Sequence, residues 1–247
     1  MHEFQVTGHD SFHRLDADMV SVTETCTAVV NGLLQAAYIC GPPGIGKNMA
    51  VRAALDRAGI TDPVKANPRN YLDLLKAIDA ARSRGGPVWF DEADVLWRSD
   101  RMLNVLKIAT SDHARDRVYN RTFIGVPIIV TTNINLAPPW PSRAAADHCP
   151  ALFNRSPPIM IHATPEEIVA YAIHLAKTTA MVGNDWKGDG IALAVRERAY
   201  DWFRANADRL REPSPRALKN AANLMNRNKR GDVSDVMLDR SLAAMLE

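Results

Sequence analysis

Residues 41–47 read Gly-Pro-Pro-Gly-Ile-Gly-Lys, directly after the apolar triplet Tyr38-Ile39-Cys40 and before a stretch of helical character from Lys47 to about Ala58. A strand, a glycine-rich turn and a helix in that order make a ready anion cradle. The glycines let backbone N–H groups converge, and the positive end of the helix dipole adds to the field. Lys47 follows at the spacing from which a lysine reaches the β- and γ-phosphates of a nucleotide. The competing reading is a plain glycine-rich turn with an incidental lysine.

The chain continues in the same alternation. Val64-Lys65 forms a short second strand, and Tyr71 to Arg82 carries Leu72, Leu75 and Ile78 at helical spacing. Gly85-Gly86-Pro87 breaks the chain before a third strand, Val88-Trp89-Phe90. A helix is expected near Leu96 to Thr110, a fourth strand over Pro127 to Thr132, and a fifth over Ile159-Met160-Ile161. A first helix is expected from about Glu24 to Ala36. From Thr164-Pro165-Glu166-Glu167, a capping box with proline at the first helical position, everything reads as helix. The expected helices run over Glu166 to Met181, Ile191 to Arg204, Pro215 to Arg227 and Ser234 to Leu246. The expectation is an α/β module over residues 1–162, with a central parallel five-stranded sheet flanked by helices, followed by a small all-helical lid over 163–247.

Composition narrows the function classes. Thirty Lys and Arg against 28 Asp and Glu leave a net charge of +2, which argues against bulk binding to polyanions but leaves room for a local basic patch. Cys26, Cys40 and Cys149 are an odd number without metal-ligand spacing, so a reducing, cytoplasmic setting is expected. The uncharged stretches Thr25–Gly46 and Thr122–Ser142 are long enough to span a bilayer, but their prolines, glycines and amides fit buried strands better. The N-terminal residues lack a basic segment followed by an apolar one, and no secretory signal or membrane association is expected.

Four further residues complete a site. Residue 48, where a hydroxyl would ligate Mg²⁺, is Asn48. Its carbonyl oxygen still ligands a hard cation, but its amide half repels one, so binding is expected to survive better than hydrolysis. Asp91-Glu92 ends the third strand, with Asp91 expected to hold the metal shell and Glu92 to polarise the attacking water. An acidic pair also serves as a helix N-cap. Residues 91–94 spell Asp-Glu-Ala-Asp, but a DEAD-box helicase needs a second RecA-like domain, and the remaining residues are mostly helical. Asn133, at the end of the fourth strand, is placed either to orient the lytic water or simply to cap that strand.

Taken together, the phosphate loop, the acidic pair, the strand ending in Asn133 and an arginine before a short strand resemble an AAA+ ATPase over roughly residues 20–225. The resemblance implies ATP and Mg²⁺ as cofactors. It implies nucleotide contacts from Gly41, Pro42, Pro43, Gly44, Ile45, Gly46, Lys47, Asn48 and Met49, metal contacts from Asn48 and Asp91, and catalysis by Lys47, Glu92, Asn133 and Arg155. Arg155 in Ala151-Leu152-Phe153-Asn154-Arg155 resembles an arginine finger acting on a neighbouring subunit, with Arg143 as runner-up. A surface ion pair is the plainer role for Arg155. Arg216 in Ser214-Pro215-Arg216 resembles sensor 2. A finger given in trans implies a homo-oligomer, in this family usually a ring or spiral of six.

The target is open at this level. Arg117, Tyr119 and Arg121 before the fourth strand are candidates to grip nucleic acid, as is the basic stretch from Arg204 to Arg230; Arg69-Asn70-Tyr71 is a second pore-loop candidate. Leu103-Asn104-Val105-Leu106-Lys107-Ile108-Ala109 followed by Arg117-Val118-Tyr119 resembles small single-module AAA+ proteins of phages and prophages. Pro127 to Asn133 is similar to superfamily 3 helicases, although no origin-binding or primase domain is seen before the module, and the compact form is similar to helicase loaders. Three classes follow: a nucleic-acid motor serving phage or mobile-element DNA, a protein remodeller or loader with a protein partner, and a nucleotide-gated assembly switch with weak turnover.

Overall fold

Five short strands pair side by side into one all-parallel sheet. They are β1 (Ala36–Cys40), β2 (Val64–Ala66), β3 (Val88–Phe90), β6 (Ile128–Thr132) and β7 (Ile159–Met160), in the order β2-β3-β6-β1-β7. The two-residue strands β4 (Arg115–Asp116) and β5 (Arg121–Thr122) pair antiparallel apart from it. The computed structural model describes residues 13–111, 125–179, 181–184 and 190–246, with the backbone of 115–116 and 121–122.

The interior strands are buried along their whole length, as a sheet covered on both faces requires: β1, β3 and β6 have no exposed residue. Register aligns Tyr38 with Val130 and Phe90 with Val130. Because every strand runs the same way, the residues that follow β1, β3 and β6 emerge on one edge. In open parallel sheets that carboxyl edge is where ligands are held.

The helices that accompany the strands are α2 (Lys47–Arg57), α3 (Tyr71–Arg84), α4 (Asp100–Ala109) and α5 (Arg143–Phe153). Asn70 starts α3 by accepting from the amides of Leu72 and Asp73, and Gly85 closes it in the left-handed region. The helix expected from Leu96 is divided. A 3₁₀ turn over Asp94–Arg98 comes first, and Ser99 then caps α4.

Helix α5 was not expected from sequence. Ser142 starts it, accepting from the Ala145 amide at 3.0 Å while its hydroxyl donates to the Trp97 carbonyl at 2.6 Å. Pro150 sits inside the helix, and Pro138, Pro139 and Pro141 precede it, which hides the helical period. Phe153 at its end packs among Tyr38, Trp97 and Trp140, with ring centroids 5.6, 6.2 and 6.0 Å away.

The first helix, α1 (His13–Val30), also differs from expectation, starting eleven residues before Glu24 and ending before Ala36, which is already strand. Leu15, Met19, Val22, Cys26 and Val29 are its buried face, recurring at helical spacing.

The described chain divides into two compact units. One holds the sheet and spans residues 18–42 and 46–162. The other contains 163–247 with the described residues up to Ala17 and Pro43–Ile45. Its helices are α6 (Pro165–Thr178), α7 (Leu193–Ala205), α8 (Pro215–Lys229) and α9 (Asp235–Ala243), around a core that includes Ala172, Phe203, Leu218 and Met225. The capping box at Thr164 and Glu167 is formed from both sides. In this unit Gly44 lies against the N-cap of α8, where a Cβ on residue 44 would stand 2.5 Å from that of Ser214.

Candidate functional site

The turn from β1 to α2 is built on two glycines with positive φ, Gly44 at 76° and Gly46 at 104°. Gly46 is the N-cap of α2, and no side chain caps that helix. The Met49 amide donates to the Gly46 carbonyl at 2.9 Å, while no side chain caps the amides of Lys47 and Asn48, which is the local basis of anion affinity. Ile45 is buried, whereas Met49 is exposed.

Lys47 is buried, and all three of its ammonium protons have partners. Nζ donates to the carbonyls of Gly41 and Pro42, both at 2.7 Å, and to Asn133 Oδ1 at 3.0 Å. Burial pushes its pKa down to about 8, against the pull of Asp94, Asp91 and Glu92. The structure thus brings together Lys47 and Asn133, residues 86 positions apart.

Asp91 sits at the centre of a second network. Its Oδ1 accepts from the Thr131 hydroxyl at 2.9 Å. Its Oδ2 accepts from Asn48 Nδ2 at 3.1 Å and pairs with Lys65 Nζ at 2.7 Å. Partial burial works against ionisation, but Lys65, Thr131 and Asn48 together outweigh it and hold the carboxyl below its ordinary value. Asn48 turns its NH₂ toward the carboxylate because the reverse orientation would set two acceptors face to face.

Neither Lys65, Thr131 nor Asp94 was singled out by sequence, yet all three organise the site. Asp94 Oδ1 accepts from the Thr132 hydroxyl at 2.5 Å and the Asn133 amide at 3.1 Å, fastening the end of β6 to the turn after β3. Glu92 is the one described non-glycine residue with positive φ, at 51°, and its side chain is exposed. Such backbone costs of order 1 kcal/mol and persists where surrounding structure holds it. The neighbouring anchor is the Ala93 amide, which donates to the Thr131 carbonyl at 3.1 Å.

Other expected site residues stand elsewhere. Arg155 Nη1 donates to the Lys107 carbonyl in the last turn of α4, at 2.7 Å. Arg143 opens α5, is 96% exposed and pairs with Asp147 at 3.8 Å. Arg216 is in the first turn of α8, in the helical unit. Asn70 is occupied as the cap of α3, and Tyr71 carries the Arg101 guanidinium 5.6 Å from its ring centroid. Arg117 and Tyr119 lie outside the described residues, as does the side chain of Arg121.

A divalent ion held directly by Asn48 and Asp91 does not fit this arrangement. Both Asp91 oxygens already accept from donors, one of them an ammonium, and Asn48 presents its amide hydrogens to that carboxylate. Among the described residues no group of three or more His, Cys, Asp or Glu side chains is arranged to hold a metal.

Fold and site define a class: an α/β protein with an all-parallel five-stranded sheet and a glycine-rich turn, a buried lysine and an acidic cluster at its carboxyl edge. A comparison with models of protein families returns no match, and a comparison with curated proteins returns none either. Among the described residues no helix is long and apolar enough to cross a membrane.

Proposed function

We propose that this chain is an AAA+ ATPase that binds ATP in the 41–47 turn at the boundary between subunits of a ring or spiral. Hydrolysis would drive remodelling or movement of a macromolecule in phage or mobile-element DNA transactions. One observation carries the proposal: buried Lys47 reaches Asn133 across the sheet edge at 3.0 Å, beside a helix N-terminus that no side chain caps. A lysine buried among backbone carbonyls costs stability. A polyphosphate accepting from it, with the amides of the turn, repays that cost.

In the proposed reaction, water attacks the γ-phosphorus, its proton passes to Glu92, and ADP leaves as the bond to the bridging oxygen breaks. Asn133 orients the water, Lys47 neutralises charge on the phosphates, and Arg155 of one subunit reaches the nucleotide of the next. Arg216 serves as sensor 2. No step is assigned to Mg²⁺, since Asn48 and Asp91 do not offer it a direct site.

A second reading, the nucleotide-gated assembly switch with weak turnover, is favoured by the hydrogen bond from Asn48 to Asp91. Calorimetric titration of ATP and ADP into the wild type and Lys47→Ala tests the binding claim. Absence of heat from wild type, or unchanged affinity in Lys47→Ala, refutes it. Size-resolved mass with ADP and with a slowly hydrolysed ATP analogue, with and without DNA and alongside ATPase rates, separates motor from switch.

A further inference from the structure

We infer that Lys65 is a built-in cation that takes over part of the divalent ion's role, so that this chain holds nucleoside triphosphate with little dependence on Mg²⁺. The inference deepens the ATP assignment above and rests on it.

The position of Lys65 is set by the sheet. Register pairs Lys65 with Trp89 on adjacent parallel strands, so both side chains stand on the same face. Asp91, two residues after Trp89, extends that face. The Lys65 ammonium lies 4.2 Å from the centroid of the Trp89 ring and 2.7 Å from Asp91 Oδ2. Trp89 is only 3% exposed, and its Nε1–H donates to the Thr131 hydroxyl at 3.3 Å, which in turn donates to Asp91. The ammonium thus meets the ring face and the carboxylate, which the Thr131 hydroxyl links to each other, and the long lysine stem is held at its far end.

Electrostatics then decides what else the carboxylate accepts. An ion that took Asp91 as a direct ligand would displace Lys65 or stand beside its charge, and like charges at contact distance repel strongly in a partly dry site. Asn48, in place of a hydroxyl, donates to the same oxygen and offers the ion no compensation. Lys65 cancels the Asp91 charge that would otherwise repel the phosphates, whether or not an ion is present.

The test is calorimetric titration of ATP into the full chain in excess Mg²⁺ and in EDTA. Wild type is compared with Lys65→Met and Lys65→Arg, with circular dichroism to check folding. The wild-type dissociation constant is expected to change by less than about fivefold on removing Mg²⁺, with Lys65→Arg following it and Lys65→Met weakening by about tenfold or more in EDTA. Lys65→Gln replaces the methionine variant if that protein does not fold. A wild-type change above fivefold, a neutral variant whose ratio matches wild type, or an arginine variant that follows the neutral one overturns the inference while leaving ATP binding intact. No heat from wild type in either condition refutes the ATP assignment and the inference with it.

Discussion

The Asn133 backbone amide donates to Asp94 Oδ1 at 3.1 Å, so the residue that contacts Lys47 is held in place by an acid near the end of a different strand. The same oxygen takes the Thr132 hydroxyl. Replacing Asp94 by Ala leaves the Thr132 hydroxyl and the Asn133 amide without this partner. The expected cost is about 1–3 kcal/mol, with Asp94→Asn milder because an acceptor oxygen remains. Urea unfolding of the two variants measures it, and equal stabilities for Ala and wild type would show the contact to be idle.

The depressed pKa of Lys47 gives the protein a distinctive alkaline behaviour. In the folded state it titrates at about 8, below the ordinary lysine value of about 10.4, so the folded protein gives up the proton first. The cost of burying the charge is fully present below pH 8 and is relieved as pH rises toward the ordinary value. Wild type should therefore gain stability relative to Lys47→Met between about pH 8 and 10.4. Denaturant midpoints across that window report the slope, and parallel curves contradict it.

At the acid end the sign reverses. Asp91 is held below its ordinary pKa, so its contribution is present above the unfolded value and disappears as pH falls through the folded one. Removing Lys65 lessens that depression. Acid unfolding of Lys65→Met should accordingly begin at higher pH than that of wild type, followed by circular dichroism between about pH 5 and 2.

Glu92 holds its position with backbone at a φ of 51°. Glu92→Gly should unfold no more easily than wild type and gain up to about 1 kcal/mol, while Glu92→Val, β-branched at φ 51°, loses about 1–2 kcal/mol. Both variants are expected to lose ATP hydrolysis under the proposed mechanism. A thermal melt in which glycine is the less stable of the two would remove the strain argument.

Asn70 offers a contrast between two roles. Its side chain accepts from the amides of Leu72 and Asp73, so Asn70→Ala should cost about 1 kcal/mol of stability through loss of the cap. Asn70→Ser, another cap former, should restore most of it. A pore-loop role predicts altered coupling to a macromolecular target in both variants instead.

Several elements were legible because their signals are local. Tyr38 to Cys40, Val88 to Phe90 and Ile128 to Val130 are apolar on both faces, as buried parallel strands must be, and each ends where a polar or glycine residue begins the site. The 41–47 turn was legible for the same reason, since its glycines mark backbone that other residues rarely adopt. The first half of α1 is hard to read from sequence because Asp16 and Asp18 crowd a short stretch in which Leu15, Met19 and Val22 are the buried positions. The prolines before and within α5 concealed a helix that Ser142 starts through its contact with Trp97.

What this sequence determined unaided is the chemistry that neighbours along the chain can express: where strands break, where helices are capped, and that Lys47 follows a glycine turn. Hydrogen bonding and backbone preference act over a few residues, so those features are written in short windows. The partners of Asp91 were decided only by the packed sheet. Lys65, Asn48 and Thr131 come from three separate elements, and Lys65 and Thr131 have no local signal that ties them to Asp91 until parallel pairing brings β2, β3 and β6 into register. Partial burial then makes their hydrogen bonds matter, because a carboxylate withdrawn from water binds the donors that the fold sets beside it.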